Sequence, residues 1–244
     1  MSSATYSSRV LEVLKAIQVN EAETLRAVSE RLVDCVREDR IIYTFGSGHS
    51  SLLAAEGLFR AGGLACVSAI LEPSTTFAAG AVAGSAFERK VGAFQEIIDR
   101  YPVSPGDALV VFSNSGVNAL PVELTQHCRQ AGLTTVAITS RRYAEVAARS
   151  NGSTCTLLEV AEYVIDNHLP PGDALVGIGT AGPNVAPGST VAGAYIWNAL
   201  QAEVAVRLKA LRLELPVYVS SNTDGAKEVN EGLVRRYRQR VRNL

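Results

Sequence analysis

The chain has 244 residues, 47% of them hydrophobic and 19% charged, with a net charge of -1. That balance excludes an intrinsically disordered chain. It also excludes a broad nucleic-acid face, because neutralising phosphates needs a surplus of Lys and Arg.

Before Gly46 there is neither Gly nor Pro. Val10, Leu14, Ile17, Leu25, Val28 and Leu32 recur at helical spacing and predict a helical segment over about 5–38. Asn20 followed by Glu23 resembles a capping pair, so the segment reads as two helices or one with a kink. Its apolar length predicts burial against a second subunit, in a homodimer or homotetramer. The pattern then changes to IIYTF (41–45), a first strand that ends in GSGHS (46–50) and leads into the helical stretch LLAAEGLFRAGG. LACVSAI (64–70) is a second strand, followed by Ser74, Thr75 and Thr76 and a long, mostly helical stretch to about Arg100.

ALVVF (108–112) is a third strand, followed by SNSGVN (113–118) and a helix through NALPVELTQHCRQAG. TTVAITS (134–140) is a fourth and EYVIDN (162–167) a fifth. PGDALV occurs at 105–110 and again at 171–176, a repeated turn leading into a strand. GTAGPNVAPG reads as a loop, Ser189 and Thr190 open a long helix, LPVYVSS is a last strand, and AKEVNEGLVRRYRQRV is a last helix. The arginines of that end (Arg235, Arg236, Arg238, Arg240, Arg242) read as a solvated face, a subunit contact or an anion contact. Strands apolar on both faces, alternating with helices, predict an α/β fold with a parallel sheet covered on both sides. No linker divides the chain, so the expectation is one domain over 1–244.

The cysteines Cys35, Cys66, Cys128 and Cys155 form no CxxC or Cys/His cluster and read as core residues in a reducing compartment. No leader pattern or membrane-length apolar run is visible, so the expectation is a cytoplasmic protein without a membrane partner.

Chemistry is expected at the strand ends, because ligands of such sheets sit outside the carboxyl ends of the strands. GSGHSS, PSTT and SNSGVN follow the first three strands, and GST precedes the late helix. Each stands at a helix N-terminus, where free N–H groups and the positive dipole end favour an anion. Ser, Thr and Asn are also ordinary N-caps, which accounts for any one loop alone. Several together describe a neutral cradle for a phosphate dianion. Competing glycine-loop readings fare less well. Ser51 stands where the dinucleotide fingerprint wants its third Gly, with Glu72 as a loose ribose acid, and neither GxxxxGK[ST] nor GxSxG occurs.

The residues Gly46 to Ser50, the run SNSGVN and the Ser-Thr-led late helix resemble the SIS (sugar isomerase) domain. RAGG, SNSGVNALPVE, DN…PGDA and PVYVSSN…DG are similar to a group of single-domain SIS proteins described as phosphosugar or phosphoheptose isomerases. The resemblance implies a three-layer αβα sandwich with a five-stranded parallel sheet, here with an extra N-terminal helical segment. It implies that Ser113, Asn114, Ser115 and Asn118 hold a phosphosugar's phosphate with a further donor from Ser50, that Ser47 and His49 face the sugar, and that Ser189 and Thr190 add to the cradle. It also implies a carboxylate that moves a proton between C1 and C2. The matching stretches offer Glu56 and Glu203, while Ala202 stands about where phosphoheptose isomerases carry a histidine.

Proton transfer between adjacent carbons needs a base at the carbon and a donor for the enediolate. Glu56 follows the GSGHS loop, although Arg60 four residues on makes it equally an exposed ion pair. Glu203 lies in a largely apolar stretch, where a lone carboxylate is costly to bury. His49 and His168 are the imidazoles at strand ends, and His127 reads as a packing or surface residue. The triplet Glu88, Arg89, Lys90 reads as a charged helix face, a lid or a neighbouring subunit's site. Without paired His spacing, no bound metal and no cofactor are expected. The expected function is aldose–ketose isomerisation of a phosphosugar, with a non-catalytic phosphosugar sensor or a phosphosugar lyase on the same site as alternatives.

Overall fold

The computed structural model describes residues 2–153, 155–179 and 182–244. Five strands form a parallel sheet: β1 (Ile42–Gly46), β2 (Val67–Ile70), β3 (Ala108–Phe112), β4 (Thr134–Thr139) and β5 (Tyr163–Asp166). Their order is β2-β1-β3-β4-β5. Every residue of β1, β2 and β3 is buried, the pattern expected of a sheet covered by helices on both faces. Such runs combine β-branched and aromatic side chains with no room for charge, and they form the middle of a core that includes Tyr43, Phe45, Leu109 and Phe112.

The order carries the functional consequence. From β1 the chain crosses outward to β2 and then returns past β1 to β3, so the direction of winding reverses between β1 and β3. At such a reversal the connecting loops diverge and leave a crevice at the carboxyl ends of the two strands. The loops GSGHS and SNSG leave from those two ends.

The N-terminal segment forms two helices, α1 (Ser2–Asn20) and α2 (Ala22–Arg37). The break falls at Glu21, and no side chain caps α2, so the Asn20/Glu23 pair does not act as anticipated. The apolar stripe deepens along the chain: Val10 and Leu14 are half-buried, Ile17, Val28 and Leu32 fully so. Its covering is intramolecular. Both helices pack on α9 (Ser189–Ala210), whose buried face includes Trp197, Leu200 and Val204.

Several elements differ from the sequence expectation. The helix after β1 is short, α3 (Ser50–Glu56). The stretch expected to run as one helix to about Arg100 is divided into a 3-10 turn (Phe77–Ala79), α4 (Ala81–Phe87) and α5 (Gln95–Ile98), with Gly80 and Gly92 at positive φ between the pieces. Helix α6 (Ala119–Gln130) follows the anticipated pattern, and α7 (Arg141–Asn151) and α8 (Leu157–Val160) make the connection from β4 to β5. The supposed loop GTAGPNVAPG holds a strand: β6 (Ala174–Gly177) and β7 (Asn184–Pro187) make an antiparallel hairpin apart from the main sheet, and α1 packs on it. Thr180 and Ala181 of that run lie outside the described residues.

LPVYVSS forms no strand of a sheet. It lies along residues 62–65 through a single bridge, Leu64 to Val217, because Pro216 has no N–H to extend a ladder. The last helix, α10 (Ala226–Tyr237), buries Tyr237. The arginines of this end are not all solvated: Arg236 and Arg240 both grip Asp39, and Arg242 donates to the carbonyl of Arg100. No helix among the described residues is long and apolar enough to cross a membrane.

Candidate functional site

A cavity of about 390 Å³ opens at the β1/β3 crevice, and the two loops form much of its wall: Ser47, Gly48, His49 and Ser50 from one, Ser113, Asn114, Ser115 and Asn118 from the other. Gly46 makes this closure possible. A Cβ there would stand 2.3 Å from the carbonyl oxygen of Ser50, so any other residue would push the loop off the strand end.

The loops hold their shape through their own backbones. Gly48 N–H donates to the Thr75 carbonyl (2.9 Å) and Ser51 Oγ to the Gly48 carbonyl (2.7 Å). In the second loop the Asn114 carbonyl accepts from Ser140 N–H (3.1 Å), while its side-chain oxygen accepts from Asn167 Nδ2 (2.8 Å). Ser113 Oγ accepts from Gly116 N–H at 3.3 Å, which leaves its proton for a ligand. The hydroxyls of Ser50 and Ser115 have no hydrogen-bond partner among the described residues, although both line the cavity.

Between the loops stands Glu88, at the end of α4. One carboxylate oxygen accepts a short hydrogen bond from Ser47 Oγ, and the other accepts from Asn118 Nδ2 at 2.5 Å. The Glu88 carbonyl also accepts from Leu120 N–H (3.0 Å), which ties this segment to the first turn of α6. With its side chain 17% exposed, the carboxylate is largely enclosed but open to the cavity. Asn118 occupies the N-cap position of α6 without making a side-chain cap bond. Its amide serves Glu88 instead, so the capping explanation does not apply at this residue.

The cradle is not uncharged, as the sequence had led one to expect. Besides Glu88 it contains Arg89, whose guanidinium donates to the Ser85 carbonyl and Oγ (2.5 and 2.6 Å), and Asp173. Asp173 comes from the second PGDALV. It accepts from Gly188 N–H (3.1 Å), Ser189 N–H (2.8 Å) and Ser189 Oγ (2.6 Å). This carboxylate therefore already occupies the N-terminus of α9, the place proposed for a phosphate contact. Ser189 lines the cavity with its hydroxyl committed to Asp173, and Thr190 is exposed outside it.

His49 lies at the mouth, its ring edge-on to Phe77 with centroids 4.8 Å apart. The other expected acid-base residues are elsewhere. Glu56 pairs with Arg60 (3.0 Å) on the outer face of α3. Glu203 is 55% exposed beside Arg207 (3.8 Å), in a groove between α2 and α9. His168, at φ +56°, sits between Glu21 (3.1 Å) and Asp166 (3.6 Å), joining the α1/α2 break to the end of β5. None of these three lines the cavity of this chain. Glu72, the loose ribose acid, is buried against Arg100 (2.5 Å) and Tyr101 (3.2 Å). Among the described residues no group of three or more His, Cys, Asp or Glu forms a metal-ligand cluster.

The sheet and the loops at its strand ends have known relatives. A sequence profile of the SIS domain covers residues 5–140. The chain belongs to the SIS-domain family. It is 41% identical over 239 residues to a UPF0309 protein of Brucella canis, which covers 98% of this chain and 97% of the relative. It is likewise 41% identical over 233 residues to a UPF0309 protein of Brucella abortus strain S19, covering 96% and 95%. Among solved structures, the phosphoheptose isomerase GmhA from Neisseria gonorrhoeae superposes with a TM-score of 0.55 at 17% identity, over 82% of this chain and 96% of that one. The sugar isomerase domain of an RpiR transcription factor from Sphaerobacter thermophilus does so with a TM-score of 0.54 at 17% identity, over 97% and 98%. At such identities these likenesses speak for the fold. The αβα sandwich implied by the sequence motifs is the architecture observed.

Glu88 and Asp173 are the residues that sequence reasoning undervalued. The triplet containing Glu88 had been noticed, yet its spacing fits a charged helix face equally well. Asp173 carried a visible signal, the repeat of PGDALV, but nothing in the repeat says which copy faces a cavity.

Proposed function

We propose that this chain is a phosphosugar isomerase in which Glu88, rather than Glu56 or Glu203, is the base. The observation that carries this reading is one carboxylate held by Ser47 and Asn118, one residue from each hydroxyl-rich loop, inside the cavity those loops enclose. A cavity of about 390 Å³ lies within the range of roughly 300–1,000 Å³ usual for small-molecule sites. Ser50, Ser113 and Ser115 offer hydroxyl protons to a phosphate, and Asn114 lines the same wall. Phosphoheptose isomerase and an RpiR sugar isomerase domain among the structural neighbours favour a phosphorylated sugar as ligand.

In the reaction the Glu88 carboxylate removes the proton from C2 of the open-chain aldose and returns it to C1 through a cis-enediol. Two hydrogen bonds fix its direction, so the base is oriented before the substrate arrives. The donors available to charge on the enediolate oxygens are the His49 imidazole and Arg89, which line the same cavity, Arg89 lying 3.4 Å from the Glu88 carboxylate. His49, at the mouth, is placed to exchange the proton that opens the sugar ring. Nothing in this scheme calls on a cofactor.

The sensor alternative keeps the same pocket and removes the chemistry. Solvent deuterium exchange at C2 of a bound sugar phosphate separates the two. The isomerase reading expects exchange by the wild type, a fall of at least about a thousandfold in Glu88→Gln, and near-normal rates in Glu56→Gln and Glu203→Gln. Binding without any exchange would leave the sensor reading in its place.

A further inference from the structure

Glu88 belongs neither to the sheet nor to the two loops. It stands at the C-cap of α4, a short helix that packs chiefly on the 3-10 turn before it and lies between Gly80 (φ +92°) and Gly92 (φ +78°). A Cβ at either glycine would meet no atom within 4 Å, so these positions require the left-handed conformation and not space. Gly84 is the buried residue of α4, and Val82 is 86% exposed. With two glycine pivots and so little packing of its own, α4 is placed by whatever holds it from outside. Helix α6 does so through three groups of its first turns. Asn118 Nδ2 donates to the Glu88 carboxylate (2.5 Å), Leu120 N–H donates to the Glu88 carbonyl (3.0 Å), and the Glu123 carboxylate accepts from Gly92 N–H (2.7 Å). The first bond aims the carboxylate. The other two hold the backbone that carries it, one at Glu88 itself and one at the pivot.

We infer that Glu123 is a positioning residue for Glu88: by holding Gly92 N–H it keeps α4 from swinging on its glycines and keeps the base within reach of C2. This rests on the reading of Glu88 as the base given above. Glu123 is half-buried and has no other hydrogen-bond or ion-pair partner among the described residues, so its carboxylate serves this one contact. Leu120 N–H is a first-turn donor without an intrahelical partner, and the next residue, Pro121, has no N–H to add to the clamp. The second hold therefore has to come from a side chain, and Glu123 supplies it. Because its partner is a neutral N–H group, the role calls for an acceptor oxygen and not for a charge.

The test follows solvent deuterium exchange at C2 of glucose 6-phosphate, with binding of the same compound measured by calorimetry. Glu123→Ala is expected to slow exchange at saturation by about tenfold to a hundredfold, the cost of a misplaced base, while affinity stays as in the wild type. Glu123→Gln keeps an acceptor oxygen and should restore the wild-type rate. In a Glu88→Gln background Glu123→Ala should cost nothing further, because the group it positions is gone. A second measurement needs no substrate: the Gly92 amide should exchange with solvent at least about tenfold more slowly in the wild type and Glu123→Gln than in Glu123→Ala. Wild-type exchange rates at C2 in Glu123→Ala, a loss of affinity as large as the loss of rate, or a Glu123→Gln protein as slow as Glu123→Ala would overturn the inference and leave Glu88 as the base. So would a Gly92 amide that exchanges in the wild type as fast as in an unfolded peptide, whatever the variants do. A wild type without C2 exchange, or a Glu88→Gln protein as fast as the wild type, would instead overturn the choice of base, and the role of Glu123 with it.

Discussion

The sequence PGDALV appears twice, and its two copies serve opposite ends of the molecule. In the first, Asp107 is 3% exposed and accepts from Ile41 N–H (2.9 Å) and Ser104 N–H (2.8 Å), fastening the amino end of β3 to the entry of β1. In the second, Asp173 adopts φ +69°, faces the cavity and holds the N-terminus of α9. The residues that follow diverge in the same way: Ala108 to Phe112 are all buried, whereas β6 is half-open and pairs only with β7. Identical local chemistry thus makes a structural latch at the closed base of the sheet and a site wall at its open rim. What differs is the neighbour. The first copy meets β1 and β4, and the second meets a hairpin and a helix end.

The largest effect expected from this contrast is on the latch. Asp107→Ala leaves one buried and one half-buried N–H group without acceptors, and urea denaturation should show a loss of about 3 kcal/mol, with unchanged sugar phosphate affinity in the protein that remains folded. Asp173→Ala should do the reverse. It removes a helix cap worth about 1 kcal/mol, but Ser189 is released and the cavity wall loses one of its negative charges, so affinity for a sugar phosphate should rise by roughly tenfold or more. Equal stability losses in the two variants would dissolve the comparison.

Thiol chemistry follows the same division. Burial pushes the Cys66 and Cys128 thiols up to about 12 and raises Cys35 further, while Cys155 is half-exposed. Labelling of the native protein at neutral pH should therefore modify Cys155 quickly and the other three only on unfolding. The smallest effect concerns pH. Burial raises the Asp107 carboxyl above the ordinary carboxylate value despite its two backbone hydrogen bonds. The native state then holds the proton more tightly than the unfolded chain, so the stability contributed by Asp107 is full below the ordinary value and declines as pH rises through the folded one. Relative to Asp107→Asn, the wild type should lose stability in urea denaturation as pH rises above the ordinary carboxylate range, and no such loss would contradict the assignment.

Much of this was legible in the amino-acid sequence, for definite reasons. Strands such as ALVVF are apolar on both faces, and the loops GSGHS and SNSGVN keep their glycines and hydroxyls at the strand ends, so the sheet and its crevice could be read from local composition. The short hairpin could not, because half of it resembles a Gly- and Pro-rich loop. LPVYVSS looked like a strand because β-propensity cannot show that Pro216 breaks a ladder. The base proposed here differs from the carboxylates that the sequence favours, for a related reason. Glu56, Glu88 and Glu203 all stand near a basic residue on a helix, and only the folded path of the segment after β2 brings one of the three between the two loops.

The central claim, that uncharged hydroxyls of the two loops grip a phosphate beside Glu88, is tested most directly by calorimetric titration of glucose 6-phosphate and glucose into the wild type and the Ser50→Ala/Ser115→Ala double variant. The wild type should bind the phosphate ester and not the free sugar. The double variant should bind the ester at least about a hundredfold more weakly with its melting temperature unchanged, since each hydrogen bond to a charged group contributes about 1.5–3 kcal/mol. Equal affinity in the two proteins, or equal binding of sugar and sugar phosphate, would contradict it.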